Sequence, residues 1–382
     1  MMKKFLAIFT LVLCFSQSFA QDSIKKDNLS FGFDVQGLFN NHEFKRHIAY
    51  GYTLGGIRIL PSLSYKVNDD IKFSLGVNAL RYWGANEYPL YNYVSVPEYD
   101  EKNQQKLIHI LPFLRFTWQI NEKTSLLIGN LDNQGGHGLD IALWNPELDF
   151  SMDNEEGLQL RYFSKYWQNE VWVNWQNFNF INDVDRESFL LGLSGTVNTD
   201  YTMKHSLFFD YSFMWQHHGG ELDTLANLDL DHWINGNLGL NYMILLTYSK
   251  LHGLIFSVDW LYCKALKNDT WFFKAGNGVF TKLTAFGKNY TARLGFYYSK
   301  DMISFYGSPF FSNIAQRNIG EYYPENKMLY AKFDYSLYKK QNASIAFFTE
   351  LYHKLDTKTN LVAENQQLSF SLGLKAELKI SK

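Results

Sequence analysis

The sequence predicts an all-β chain closed into a transmembrane antiparallel β-barrel of about sixteen strands, within a range of about 14 to 18. Three observations predict it: two-residue hydrophobic alternation along almost the whole chain, strict interleaving of short and longer connections, and no later apolar run of the roughly 18 residues a spanning helix needs. The final stretch states the pattern most clearly. Leu368, Phe370, Leu372, Leu374, Ala376, Leu378 and Ile380 alternate with Ser369, Ser371, Gly373, Lys375, Glu377 and Lys379. Successive side chains of a strand point to opposite faces, so one face is greasy and the other polar.

The same reading applies from the first strand onward. Leu29, Phe31, Phe33, Val35 and Phe39 oppose Ser30, Gly32, Asp34 and Gln36, and Ile71, Phe73, Leu75 and Val77 oppose Lys72, Ser74, Gly76 and Asn78. Residues 207–215, 234–246, 254–262, 290–298 and 329–337 repeat it. A soluble sandwich also alternates, but its bulky apolar face is an interior, whereas here the other face is polar in every strand. In lipid all backbone groups must pair within the protein, which for strands requires a closed sheet. The last strand is therefore expected to seal against the first.

Connections divide into two sets. Seven are short and polar, at 67–70, 121–123, 167–170, 198–200, 248–250, 287–289 and 339–342; eight, mostly longer, fall near 40–51, 84–106, 132–154, 179–187, 217–230, 264–269, 300–326 and 354–365. Short turns face the periplasm and long loops the exterior in such barrels. Tyr65, Trp118 and Tyr290 near the turns, with Trp175, Trp215, Tyr262, Trp271 and Tyr298 near the loops, make two aromatic girdles. Pro61 and Pro112 fall inside strands, where bulges or irregular ends are expected. The stretch 124–131 has no clear face, since Leu126, Leu127, Ile128 and Leu131 do not alternate.

The first twenty residues read as a secretory signal: "MMKK", the apolar "FLAIFTLVLCF" and small residues before a cut after Ala20. The division expected is 1–20 signal peptide and 21–382 barrel. Cys263 is then the only cysteine, so stability rests on packing and pairing and not on a disulfide. A net charge of −2 argues against a nucleic-acid partner. Location in the outer membrane of a Gram-negative bacterium implies outer-membrane lipid and the barrel-assembly machinery as partners; no oligomeric state is assigned.

Strand number carries function, because about sixteen strands enclose water. The pore lining expected is Asp34, Arg58, Lys72, Arg115, Arg161, Asn174, Asn237, Asp259, Arg293, Lys332, Asp334, Glu350 and Lys375. Both signs of charge occur, which hydrates a channel without making it purely cationic or anionic. The reading is a porin-like channel for passage or export of polar solutes, including glycans; the alternative is a glycan- or partner-binding scaffold barrel with no open pore. Aromatic-rich loops at 84–106 and 300–326 are candidates for sugar contact, or for a simple lid. No cofactor or metal is implied, and the chain is read as non-enzymatic. His205 and Ser206 are strand neighbours that point to opposite faces and so cannot form a catalytic pair.

One stretch is more distinctive: "GNLDNQGGHGLDIALWNPELDFSMDNEEGLQLRY" (129–162) followed by "VWVNWQNF" (171–178). It resembles large outer-membrane barrels of Bacteroidetes-type bacteria, and departs from their pattern over residues 140–143. By analogy with porins, the resemblance implies a loop folded into the pore, with Asp132, Asn133, His137 and Asp140 at the constriction.

Overall fold

The structure, a computed structural model, describes residues 28–44, 48–49, 51–83, 109–133, 135–178, 186–199, 204–220, 230–246, 250–267, 272–315, 320–355, 358–361 and 367–381. The signal segment, the 84–106 loop and Trp271 lie outside them. Sixteen strands follow in order: β1 (Leu29–Glu43), β2 (Tyr52–Lys66), β3 (Ile71–Trp83), β4 (His109–Asn121), β5 (Thr124–Asn130), β6 (Glu156–Phe163), β7 (Trp167–Asn177), β8 (Ser188–Asn198), β9 (His205–His218), β10 (Asp231–Leu245), β11 (Gly253–Lys267), β12 (Ala275–Phe286), β13 (Tyr290–Lys300), β14 (Glu325–Lys340), β15 (Ala343–Lys354) and β16 (Gln367–Ser381). Each pairs antiparallel with its sequence neighbours. β1 pairs with β16 from Gly32↔Ser381 to Glu43↔Phe370 and closes the barrel. Among the described residues no helix is long and apolar enough to cross a membrane.

The wall follows from the alternation. On β16, Leu368 is 50% exposed while its neighbour Ser369 is fully buried. Leu240, Phe256, Leu294 and Leu329 continue the exposed apolar belt around the barrel. Such a belt is stable only against acyl chains; in water it would be an aggregating surface.

The irregular places have local causes. The β2–β3 ladder is interrupted between Ile59↔Ala79 and Ser62↔Gly76, around Pro61, yet it resumes in the same register. The missing N–H therefore opens a gap in the ladder, with neither of the features expected there, a bulge or an irregular strand end. Pro112 pairs across to Val77 on β3, and on its other side β5 begins to pair only at Arg115↔Gly129. On β5, Leu126 and Ile128 take the lipid side and Leu127 is buried in the lumen, with Leu131 buried just beyond the strand. β5 carries Leu127 on its lumen side, between Ser125 and Gly129, because the lumen there is filled by protein.

That filling comes from the connections after β5 and β13. Leu143, Trp144, Leu148, Phe150, Met302, Tyr306, Phe310 and Phe311 are buried together as an apolar core inside the barrel. The two segments hold each other: Asn145 N–H donates to the Tyr306 carbonyl (2.6 Å), Ser308 N–H donates to the Ile141 carbonyl (3.0 Å), and the Trp144 and Tyr306 rings stack at 5.5 Å. The loop-side half of the barrel is thus packed, and the turn-side half retains the polar wall.

Candidate functional site

Entry of the first loop into the lumen depends on a run of left-handed backbone. Gly135, Gly136, His137 and Gly138 have φ of 76°, 62°, 54° and 69°. Three are glycines, for which this region costs nothing, and His137 is held there by its side chain. At Gly136 a Cβ would lie 2.2 Å from the Trp144 indole, so this position also has no room for a side chain.

His137 is completely buried between two carboxylates. Its Nε2 lies 2.6 Å from Glu155, its Nδ1 bonds Glu170 on β7, and its ring stacks on Trp172 at 4.0 Å. Trp172 has space inside the wall because its β8 partner is Gly192, where a Cβ would meet the indole at 2.1 Å. Burial pushes the imidazole down, but Glu155 and Glu170 outweigh it and hold His137 up at about 9. With both nitrogens facing carboxylates, the ring is an imidazolium that donates twice. Arg161 extends the network by reaching Glu170 (2.9 Å) and Asp132 (2.8 Å).

Farther along the loop, Asp140 bonds Lys282 of β12, which also lies 2.8 Å from Asp259 of β11. Burial would raise the Asp140 carboxyl, but the Lys282 ammonium holds it below its ordinary value. Glu147 meets the opposite wall: it accepts from Asn40 (2.8 Å) and Tyr52 (2.7 Å), and lies 2.7 Å from His42 Nε2. Arg58 donates to the carbonyls of Asp149 (3.1 Å) and Met152. The second loop is fixed by aromatic contacts, Phe310 stacking on Tyr352 at 4.1 Å and Phe305 on Trp233 at 3.3 Å. Its rings face the wall and each other, so Phe305, Tyr306, Phe310 and Phe311 are not displayed for a sugar.

The sequence-derived residues fall into three groups. Arg161, Asn237, Asp259, Arg293 and Lys332, with Asp132, His137 and Asp140 from the loop, border a chamber of about 640 Å³. Lys332, Asp334, Glu350 and Lys375 border a second chamber of about 230 Å³, next to His42 and Glu147. Arg58, Arg115 and Asn174 instead tie down the loop and its stems: Arg115 donates to the Asn130 (2.7 Å) and Leu131 (2.5 Å) carbonyls, and Asn174 to Glu155 (3.2 Å). Asp34 and Lys72 are half-buried and border neither chamber. The Asn133 carbonyl accepts the Gly136 N–H at 2.8 Å, a turn contact. Glu147, Glu155, Glu170, Lys282 and His42 were missed by the sequence reading. Their partners are distant in sequence, and only inward folding of the loop unites them.

Asp149 supplies a test of this packing. Burial raises its carboxyl to about 6, partly offset by the Trp144 indole, which donates to it at 2.9 Å. An acid raised above its unfolded value destabilises the fold when ionised, so stability falls as pH rises from about 4 through 6. D149N keeps an acceptor for Trp144 and removes that charge. At about pH 7.5 it should be more stable than the parent by roughly 2–3 kcal/mol, with no gain near pH 4. The midpoint of heat-modified gel migration reads the difference.

The chain belongs to the lipid A 3'-O-deacylase-type family, whose model matches residues 21–381. No curated protein sequence matches it. Among solved structures it is similar to OccAB1 of Acinetobacter baumannii (TM-score 0.54, 7% identity, covering 94% of this chain and 98% of that one). It is also similar to the outer membrane protein OprD of Pseudomonas aeruginosa (0.52, 10%, 93% and 94%) and to OpdK of the same organism, solved with vanillate (0.50, 8%, 93% and 99%). At these identities the likeness is one of fold: a closed sixteen-stranded barrel of the outer-membrane porin type.

Proposed function

We propose that the protein is an outer-membrane channel that passes small polar solutes, small oligosaccharides included, through a lumen narrowed by its two inward loops. The carrying observation is the large chamber. Its wall mixes Arg161, Lys282, Arg293 and Lys332 with Asp132, Asp140, Glu170, Asp210 and Asp259, on a barrel wide enough for water. Most of these charges are paired with a neighbour on the adjacent strand or with the inner loop. Arg293 is less committed: its Nε donates to Thr284 at 3.2 Å, and it sits beside Lys332 in register. A chamber of about 640 Å³ suits a solute of a few rings and not a polymer. No cofactor enters this reading.

Single-channel recording of the purified protein in planar bilayers tests it. Ohmic steps of small conductance are expected, reduced by millimolar oligosaccharide if sugars are among the solutes. Silence at every voltage would favour a closed scaffold barrel instead.

A second reading, hydrolysis of an acyl ester, is supported by family membership and by one constellation. His42 is paired through Nε2 with Glu147, its buried Nδ1 has no partner among the described residues, and Ser308 lines the same small chamber. A base oriented by a carboxylate near a hydroxyl is the general pattern of a nucleophilic site. Mass spectrometry of lipid A from cells expressing the parent or H42A separates the readings. Loss of an acyl chain with the parent alone supports hydrolysis, and identical lipid A removes it.

A further inference from the structure

On the outside of the barrel, at the loop-side edge of the apolar belt, one lateral row breaks the greasy pattern. Trp175, Phe189, His217, His232 and Lys267 are successive cross-strand partners on β7 to β11. Trp175 stacks on Phe189 at 5.1 Å, Phe189 on His217 at 4.6 Å, and the His217 and His232 rings are 4.7 Å apart with their Nδ1 atoms at 3.4 Å. One residue pair closer to the membrane centre, Trp215 stacks flat on His232, and Lys264 is exposed on the same face. Arg186 reaches the His218 carbonyl beside the row. Two carboxylates adjoin it in sequence. Asp231 precedes His232 on β10, close enough for its charge to act on that ring, and Glu187 precedes β8, its carbonyl accepting the Gly219 N–H.

We propose that this row, centred on His217, His232 and Lys267, binds the phosphate of an anionic lipid headgroup in the outer leaflet. Depth supports it: the row caps the belt of Leu238, Leu240 and Trp260, where headgroups lie. Charge supports it as well. Two facing imidazoles repel when both are protonated, unless an anion takes a hydrogen bond from each, and the lysines add charge-assisted donors at the same level. Trp175, Phe189 and Trp215 fix the rings, so little rotamer freedom is lost on binding. Basic groups at a membrane surface recognise anionic lipid in this way. The site rests on the orientation of the barrel and is independent of whether the lumen conducts.

Native mass spectrometry of the full barrel in neutral detergent, titrated with dioleoyl phosphatidic acid or dioleoyl phosphatidylcholine, tests the proposal. At about pH 5.5 the phosphatidic acid should bind roughly tenfold more tightly than phosphatidylcholine. In H217N/H232N that preference should fall to near parity, while heat-modifiable migration shows an intact barrel. K264Q/K267Q, which leaves the imidazoles in place, should lose part of it. Equal affinity for both lipids, undiminished preference in H217N/H232N, or full displacement by equimolar inorganic phosphate would overturn the lipid site.

Discussion

Replacing Lys282 with methionine is expected to release the first inner loop and raise conductance. Lys282 joins the loop at Asp140 to the wall at Asp259, and all three side chains are at most one-tenth exposed. Removing the ammonium leaves two buried carboxylates facing each other, with Asp210 bordering the same chamber. Breaking a buried pair from one side typically costs about 3–5 kcal/mol, because the remaining charge keeps its desolvation penalty. The fold need not absorb that cost, since the loop can swing away and let water reach both acids. The expected readout is larger and noisier single-channel steps with a lower midpoint of heat-modified migration. K282M/D140N/D259N should recover much of the stability, because it removes the orphaned charges. Conductance and midpoint unchanged in K282M would mean that this bridge does not hold the loop.

Much of this architecture was legible in the chain because a barrel wall is a local pattern. Leu368 to Ile380 declare their outward face by alternation alone, and the polar run at 67–70 places its turn without knowledge of any partner strand. What fills the lumen was not legible. Trp144, Phe150, Phe310 and Phe311 are apolar residues in connections, and composition alone does not say whether such rings cover the mouth or enter it. Their inward course is set by long-range contacts, such as Glu147 with His42 or Asn145 with Tyr306. Leu127 on β5, and Trp172, Leu190, Met214, Leu261, Phe280 and Met328 on other strands, are apolar residues on the lumen face that do hint at it. The four loop residues singled out from sequence also have different roles: Asp132, His137 and Asp140 each engage the wall through charge, whereas Asn133 only closes a turn.

His137 should make the inner loop sensitive to alkali. Its imidazolium is held at about 9 by Glu155 and Glu170 against the opposing effect of burial. A base whose folded value lies above the ordinary 6.5 contributes stability that is complete below about pH 6.5 and is lost as pH rises through 9. The size of the shift corresponds to roughly 3 kcal/mol across that window. Deprotonation also leaves only one N–H for two carboxylates, so one buried contact becomes repulsive. Parent protein followed from about pH 6 to 10 should therefore show a falling heat-modification midpoint and growing channel noise, beginning before the lysines titrate. H137Q keeps a donor but never a charge. It should begin about 3–5 kcal/mol less stable at neutral pH and be nearly flat to about pH 9. Parallel slopes in parent and variant would place the alkaline sensitivity on another group. A neutral-pH midpoint equal to the parent's would mean that Glu155 and Glu170 are satisfied without the ring, and that the loop is held by its other anchors, Asp140 on Lys282, Asp132 on Arg161 and Glu147 on Asn40, Tyr52 and His42.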